Sequence, residues 1–186
     1  MVTGRVVSVN VGLPRNTPWH NHNVTTGIFK EPVAGRVIMR SLGLDGDKQA
    51  DLTVHGGPLK AVYAYPSEHY VFWKTTLHRT SLPWGMFGEN LTTQGLLEDA
   101  VRLRDEYRVG SARVMVTQPR FPCYKLGIKF GTREMVSRFQ ASGRSGFYLS
   151  VMQEGEVEAG DGIELIRSDK SHPTISEAFT SRRGER

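Results

Sequence analysis

Apolar residues in this chain alternate with polar ones in short runs, and glycine cuts each run off. That pattern constrains the fold more than any other feature. Residues 2–12, VTGRVVSVNVG, alternate with β-branched side chains, the period-two signature of a strand with one buried face. Residues 35–42, GRVIMRSL, do the same. VRLRD at 101–105 and SARVMVT at 111–117 read as strands, with YRVG between them as a turn. GFYLSVM at 146–152, GEVEA at 155–159 and GIELIR at 162–167 read as three short strands joined by glycine-rich turns. The 20 glycines and 9 prolines supply the tight turns such a chain needs. Helices are expected in two places. Residues 58–75 begin as a strand (AVYAY), turn at Pro66-Ser67 and continue as a helix with Ser67 as its cap. Residues 132–141, TREMVSRFQA, put Met135, Val136 and Phe139 on one helical face, with Thr132 as the cap. Many short strands with few helices predict a mainly β protein, a barrel or a folded sheet.

The 186 residues suit one domain. The boundary falls after about Arg167, giving a domain over 1–168 and a polar tail over 169–186 with a short helix at 174–182. A mean hydropathy of −0.37 is a globular balance. No apolar run reaches the roughly 18 residues of a membrane helix. The start shows no charged segment followed by an apolar one, so a cytoplasmic protein is expected, with no membrane partner. The net charge is +5 and the pI about 9.5. Part of that excess sits in the tail at Arg182, Arg183 and Arg186, and the other basic residues form no run. This excludes a nucleic-acid stripe and points to a small anionic ligand.

Three segments carry candidate chemistry. TQPRFPCYKL, residues 117–126, holds Cys123, the only cysteine, so no internal disulfide forms. Pro119 and Pro122 stiffen its approach, and Arg120 and Lys125 flank it. Nearby cations favour a thiolate, which is both a nucleophile and a soft metal ligand. The alternative is a small buried hydrophobe. GLDGDKQADLTVHGG, residues 43–57, gathers Asp45, Asp47, Lys48, Asp51 and His55, with Gly56 and Gly57 allowing close backbone approach to a ligand. Its alternative is a pair of surface turns. It lacks the register of an EF-hand calcium loop. A hydrolase built from Cys123, His55 and Asp51 is conceivable. GMFGENLT, residues 85–92, offers Phe87 and Leu91 as core anchors and Asn90 as an amide for a polar ligand or a turn cap. His20 and His22 read as loop residues without a third metal ligand.

Taken together, GLDGDKQADLTVHGGPLKAVYAYPSEHYVFW, FGENLT and TQPRFPCYKL resemble the MOSC domain family, named after the C-terminal domain of molybdenum cofactor sulfurase, and within it the YiiM-like branch. The resemblance runs from about residue 4 to residue 167. It implies a closed β-barrel of the pyruvate-kinase type with a few peripheral short helices. It implies the molybdenum cofactor, a molybdopterin, as ligand, with Cys123 as metal ligand or sulfur carrier and Arg120 in the family's Q-P-R-x-x-C pattern. Lys48, His55 and Asn90 stand at positions that resemble pocket-lining ones. His55-Gly56-Gly57 would offer an imidazole and backbone donors, and Asp51 an orienting carboxylate.

Two activities follow from the resemblance. One is reduction of N-hydroxylated bases and amidoximes with an external electron donor. The other is sulfur or cofactor transfer through a Cys123 persulfide. A non-catalytic binding module is a third class. The chain shows neither a C-x₄-C-x₂-C cluster nor a G-x-G-x-x-G fingerprint. A separate reductase is therefore the expected partner, beside a small-molecule substrate, and a dimer is one possible state. Longer members of the branch continue into a three-helix extension, and SHPTISEAFTSRRGER resembles its start.

Overall fold

The computed structural model describes residues 2–49 and 56–184. In chain order the first strands are β1 (Val2–Val11), β2 (Arg15–Trp19), β3 (His22–Thr26), β4 (Glu31–Val33), β5 (Val37–Arg40), β6 (Gly43–Leu44) and β7 (Val62–Pro66). Then come α1 (His69–Thr76), β8 (Leu91–Gln94), β9 (Glu106–Val109), β10 (Ala112–Pro119), α2 (Tyr124–Phe130) and α3 (Glu134–Ser142). The chain closes with β11 (Phe147–Gln153), β12 (Gly155–Val157), β13 (Gly162–Arg167) and α4 (Ile175–Gly184).

Seven strands form the expected barrel, in the order β13-β9-β10-β11-β7-β8-β1. β1 closes it by pairing antiparallel with β13, Arg5 opposite Gly162. Closure removes the free sheet edges that would otherwise invite aggregation. All pairings around the ring are antiparallel except β7 with β8. A parallel pair needs a long crossover, and the segment carrying α1 and GMFGEN supplies it. β4 adds to β1 outside the ring, β5, β6 and β12 form a small second sheet, and β2 with β3 forms a separate hairpin.

Alternation along β7 and β11 divides the core in two. Val62, Ala64, Phe147 and Leu149 point into the barrel, among Val6, Leu91, Val114 and Val116. Tyr63, Tyr65 and Tyr148 point outward, into an aromatic layer under the helices with Trp73, Phe87 and Phe139. That is why every residue of β7 is buried: each face has its own cover. Trp73 stacks on Phe139 with centroids 5.9 Å apart and donates its indole N–H to the Tyr65 hydroxyl at 2.7 Å. Burying each such side chain contributes about 1.5–3 kcal/mol.

Local expectations are corrected in several places. VRLRD is not a strand. Arg102 makes one isolated bridge to Thr174, Arg104 has φ 66°, and the Asp105 carboxylate accepts the Arg102 N–H at 2.8 Å, which closes a turn there. The strand is β9, over residues read as the turn, because Tyr107 and Val109 fill the barrel. Glu68, not Ser67, caps α1, and Arg133, not Thr132, caps α3; neither makes a side-chain cap bond. α2 begins directly after Cys123, within the TQPRFPCYKL segment, and is capped by Gly131, φ 73°. α4 docks on the barrel through buried Ile175 and Phe179, and Phe179 stacks on Phe121 at 4.8 Å.

Candidate functional site

A cleft opens on the outer wall of the barrel, between the tyrosines of β7 and β11, the loop after β6 and the start of α2. It holds about 710 Å³ of empty space, part of it open to solvent. Lys30, Lys48, Lys60, Arg120 and Lys125 line it, and Asp47 is the one carboxylate among the described lining residues. Such a surface concentrates anions.

Cys123 sits at the mouth as the residue preceding α2, half-buried, with extended backbone and a free thiol. Arg120 forms the floor. Its guanidinium carbon lies 5.0 Å from the ring centroids of both Tyr63 and Phe139, a double cation–π contact. The residue is 5 % exposed, and its buried Nη1 has no hydrogen-bond partner among the described residues. A guanidinium stays charged even when buried. An unsatisfied donor in such a place costs about 1–3 kcal/mol, which an acceptor placed in the cleft would relieve. Tyr148 lies opposite Tyr63 in the β7–β11 register, rings 5.3 Å apart, and also lines the cleft. Burial raises its pKa against the pull of Arg120, so the phenol stays protonated.

The other wall is a polar relay. Asp47 accepts from Lys30 Nζ, from the Gly12 N–H at 2.9 Å and from Asn90 Nδ2 at 2.8 Å. Asn90 in turn accepts the Tyr63 N–H at 3.1 Å. Burial lowers the Lys30 pKa, while Asp47 beside it works to hold the charge. Behind Asn90 the Glu89 carboxylate is fully buried. It accepts from the Tyr70 hydroxyl, from the Gly85 and Phe87 N–H groups at 2.9 and 3.0 Å, and from Thr92 Oγ1 at 3.0 Å. Desolvation raises its pKa. This cage fixes the turn that presents Asn90.

Of the residues singled out in the sequence, Cys123, Arg120, Lys125, Asp47, Lys48 and Asn90 meet at the cleft. Gly56 and Gly57 stand outside the described lining; Gly57, φ 90°, gives its N–H to Gln49 Oε1 at 2.9 Å. Asp51 and His55 fall in residues 50–55, outside the described residues, and so does their proposed arrangement with Cys123. Lys30, Tyr63 and Tyr148 were missed. Each follows from pairing or burial, and no local motif marks them. Among the described residues no three His, Cys, Asp or Glu side chains converge. A dithiolene-held molybdenum with an anionic phosphate fits this set: one thiol, an orphaned buried guanidinium and a ring of ammonium groups.

The MOSC domain matches residues 51–164. With that match and the relatives below, the chain belongs to the MOSC domain family, in its YiiM-like branch. It is 45 % identical to YflK of Bacillus subtilis strain 168 over 178 residues, 95 % of this chain and 79 % of that one. It is 40 % identical to YiiM of Escherichia coli K12 over 155 residues, 82 % of this chain and 69 % of that one. A protein of Gibberella moniliformis named "Reductase" is 32 % identical over 146 residues, 77 % of this chain and 26 % of that one. The crystal structure of YiiM from Geobacillus stearothermophilus superposes with a TM-score of 0.80 at 36 % identity, covering 98 % of this chain and 85 % of that one. No helix among the described residues is long and apolar enough to cross a membrane.

Proposed function

We propose that this protein binds the molybdenum cofactor in the cleft through Cys123 and reduces N-hydroxylated compounds, hydroxylaminopurine-like bases and amidoximes among them. The observation that carries this reading is the buried Arg120 Nη1, without a partner among the described residues, on the floor of a cationic cleft beside the lone thiol. Arg120, Lys48 and Lys125 would hold the phosphate, Asn90 would bond the pterin, and Cys123 would ligate the metal. The name of the Gibberella relative supports a redox reading.

The overall reaction balances as R–NH–OH + 2 e⁻ + 2 H⁺ → R–NH₂ + H₂O. A separate reductase supplies the two electrons. The bound cofactor supplies a two-electron centre that takes the oxygen. The chain's own part is to fix the cofactor by its phosphate and thiolate, to shield it between Tyr63 and Tyr148, and to keep a protonated phenol at the rim.

The test is elemental analysis for molybdenum on protein made in a host that synthesises the cofactor, with Cys123→Ala alongside. About one molybdenum per chain, lost in the variant, is the expected result. Equal molybdenum in both would overturn the ligand role. None in either would favour the sulfur-carrier reading, to be read as a persulfide on Cys123.

A further inference from the structure

A second groove is lined by Trp19, Tyr124, Arg133 and Val136, and Tyr124 lies in sequence between the cleft residues Cys123 and Lys125. The β2–β3 hairpin and the start of α2 contribute to both, and α3 with its cap adds Val136 and Arg133 to the groove alone. The hairpin sends Thr26 to the cleft and Trp19 to the groove. Tyr124 of the groove directly follows Cys123 in the chain, so their Cα atoms are about 3.8 Å apart.

Its walls are aromatic and little used. Tyr124 is 50 % exposed and meets no other ring among the described residues. Trp19, half-buried, has among them one ring neighbour, His20, edge-on at 4.6 Å. Arg133 donates from Nε to His20 Nε2 at 2.8 Å, which ties the guanidinium to the hairpin, and among the described residues no carboxylate neutralises it. Two open π-faces and an unneutralised planar donor recognise a flat, acceptor-rich ring.

We infer that this groove is the substrate's ring subsite: a planar nitrogen heterocycle stacks on Trp19 and Tyr124 and accepts from Arg133, which turns its exocyclic N–OH toward the Cys123 end of the cleft. The inference rests on the reductase reading and deepens it. Trp19, Tyr124 and Arg133 then set preference for aromatic over aliphatic N-hydroxylated substrates. The cofactor is held elsewhere.

Two measurements test it. In molybdenum-loaded protein, Trp19→Ala and Tyr124→Ala should each raise KM for 6-hydroxylaminopurine about 5- to 100-fold, the usual range for one lost base–aromatic stack. The kcat, the molybdenum content and the KM for acetamidoxime, which has no ring, should hold within about twofold, and Trp19→Phe should restore most of the loss. Equal effects on both substrates, or none, would overturn the subsite. The second measurement needs no turnover: adenine titrated into cofactor-free protein, followed by NMR at the Trp19 indole N–H, a signal identified by its loss in Trp19→Phe. A saturable shift, weakened in Tyr124→Ala, supports the subsite even if neither compound is reduced and the reductase reading fails. A signal unmoved by millimolar adenine overturns it even if both are reduced.

Discussion

The side-chain amide of Asn90 donates to Asp47 Oδ2 at 2.8 Å, joining the loop after β6 to the residue before β8. The same carboxylate is the ion-pair partner of Lys30, and both side chains are nearly buried, at 4 % and 9 % exposed. Removing one partner of such a pair strands the other charge. Asp47→Ala should cost about 3–5 kcal/mol in urea unfolding, and Asp47→Ala/Lys30→Met should recover more than half of it. A single-variant loss below about 1 kcal/mol would show that water reaches the pair.

The burial of Arg120 brings the fold little net stability. Its contacts with Tyr63 and Phe139 stabilise it by about 0.5–2 kcal/mol, while its unpaired Nη1 costs a similar amount. Arg120→Met should therefore leave ligand-free stability within about 1 kcal/mol of the original, yet strip molybdenum from protein purified from a cofactor-making host. A large loss of stability would identify Arg120 as a structural residue.

The pH dependence of stability carries a signature of Glu89. Its folded pKa is raised by burial above the ordinary 4.5. Between those values the folded state keeps a proton that the unfolded state has released. The contribution of Glu89 is complete below pH 4.5 and is lost as pH rises through the folded pKa. Glu89→Gln lacks this titration, so the stability of the original protein relative to the variant should fall from pH 4.5 to pH 7. A rise over that interval, in chemical denaturation at several pH values, would mean that the carboxylate's four hydrogen bonds outweigh its desolvation.

α4 opens with a reciprocal cap. The Glu177 N–H donates to Thr174 Oγ1 at 3.1 Å, and the Thr174 N–H donates to Glu177 Oε2 at 2.7 Å. Thr174→Ala should cost about 1 kcal/mol, with Thr174→Ser close to neutral. Because Phe179 stacks on Phe121, two residues before Cys123, the variant should also speed modification of Cys123 by thiol reagents. Unchanged reactivity would show that α4 does not brace the loop.

The barrel was legible in the sequence because alternation is local: a strand such as β10 shows its inward and outward residues in order, whatever it pairs with. Where two conformations share the same residues, as at VRLRD and YRVG, alternation alone chose wrongly, and a left-handed Arg104 and the Asp105 turn decided the matter. Cys123 and Arg120 were legible because one segment carries both. Lys30 and Asp47, or Tyr63 and Tyr148, were not, since each pair is joined by folding across a long stretch of chain.

By itself the sequence determined a glycine-punctuated, mainly β chain with one thiol between basic neighbours and, through its motifs, the family. Only the tertiary structure decided that the barrel wall turns Tyr63 and Tyr148 outward together, that Arg120 is buried beneath them with an unused donor, and that a hairpin and the start of α2 contribute to two cavities. The reason is physical: residue type and spacing are properties of the chain, whereas burial, pairing and the cost of an unsatisfied donor depend on which distant segments exclude water around it.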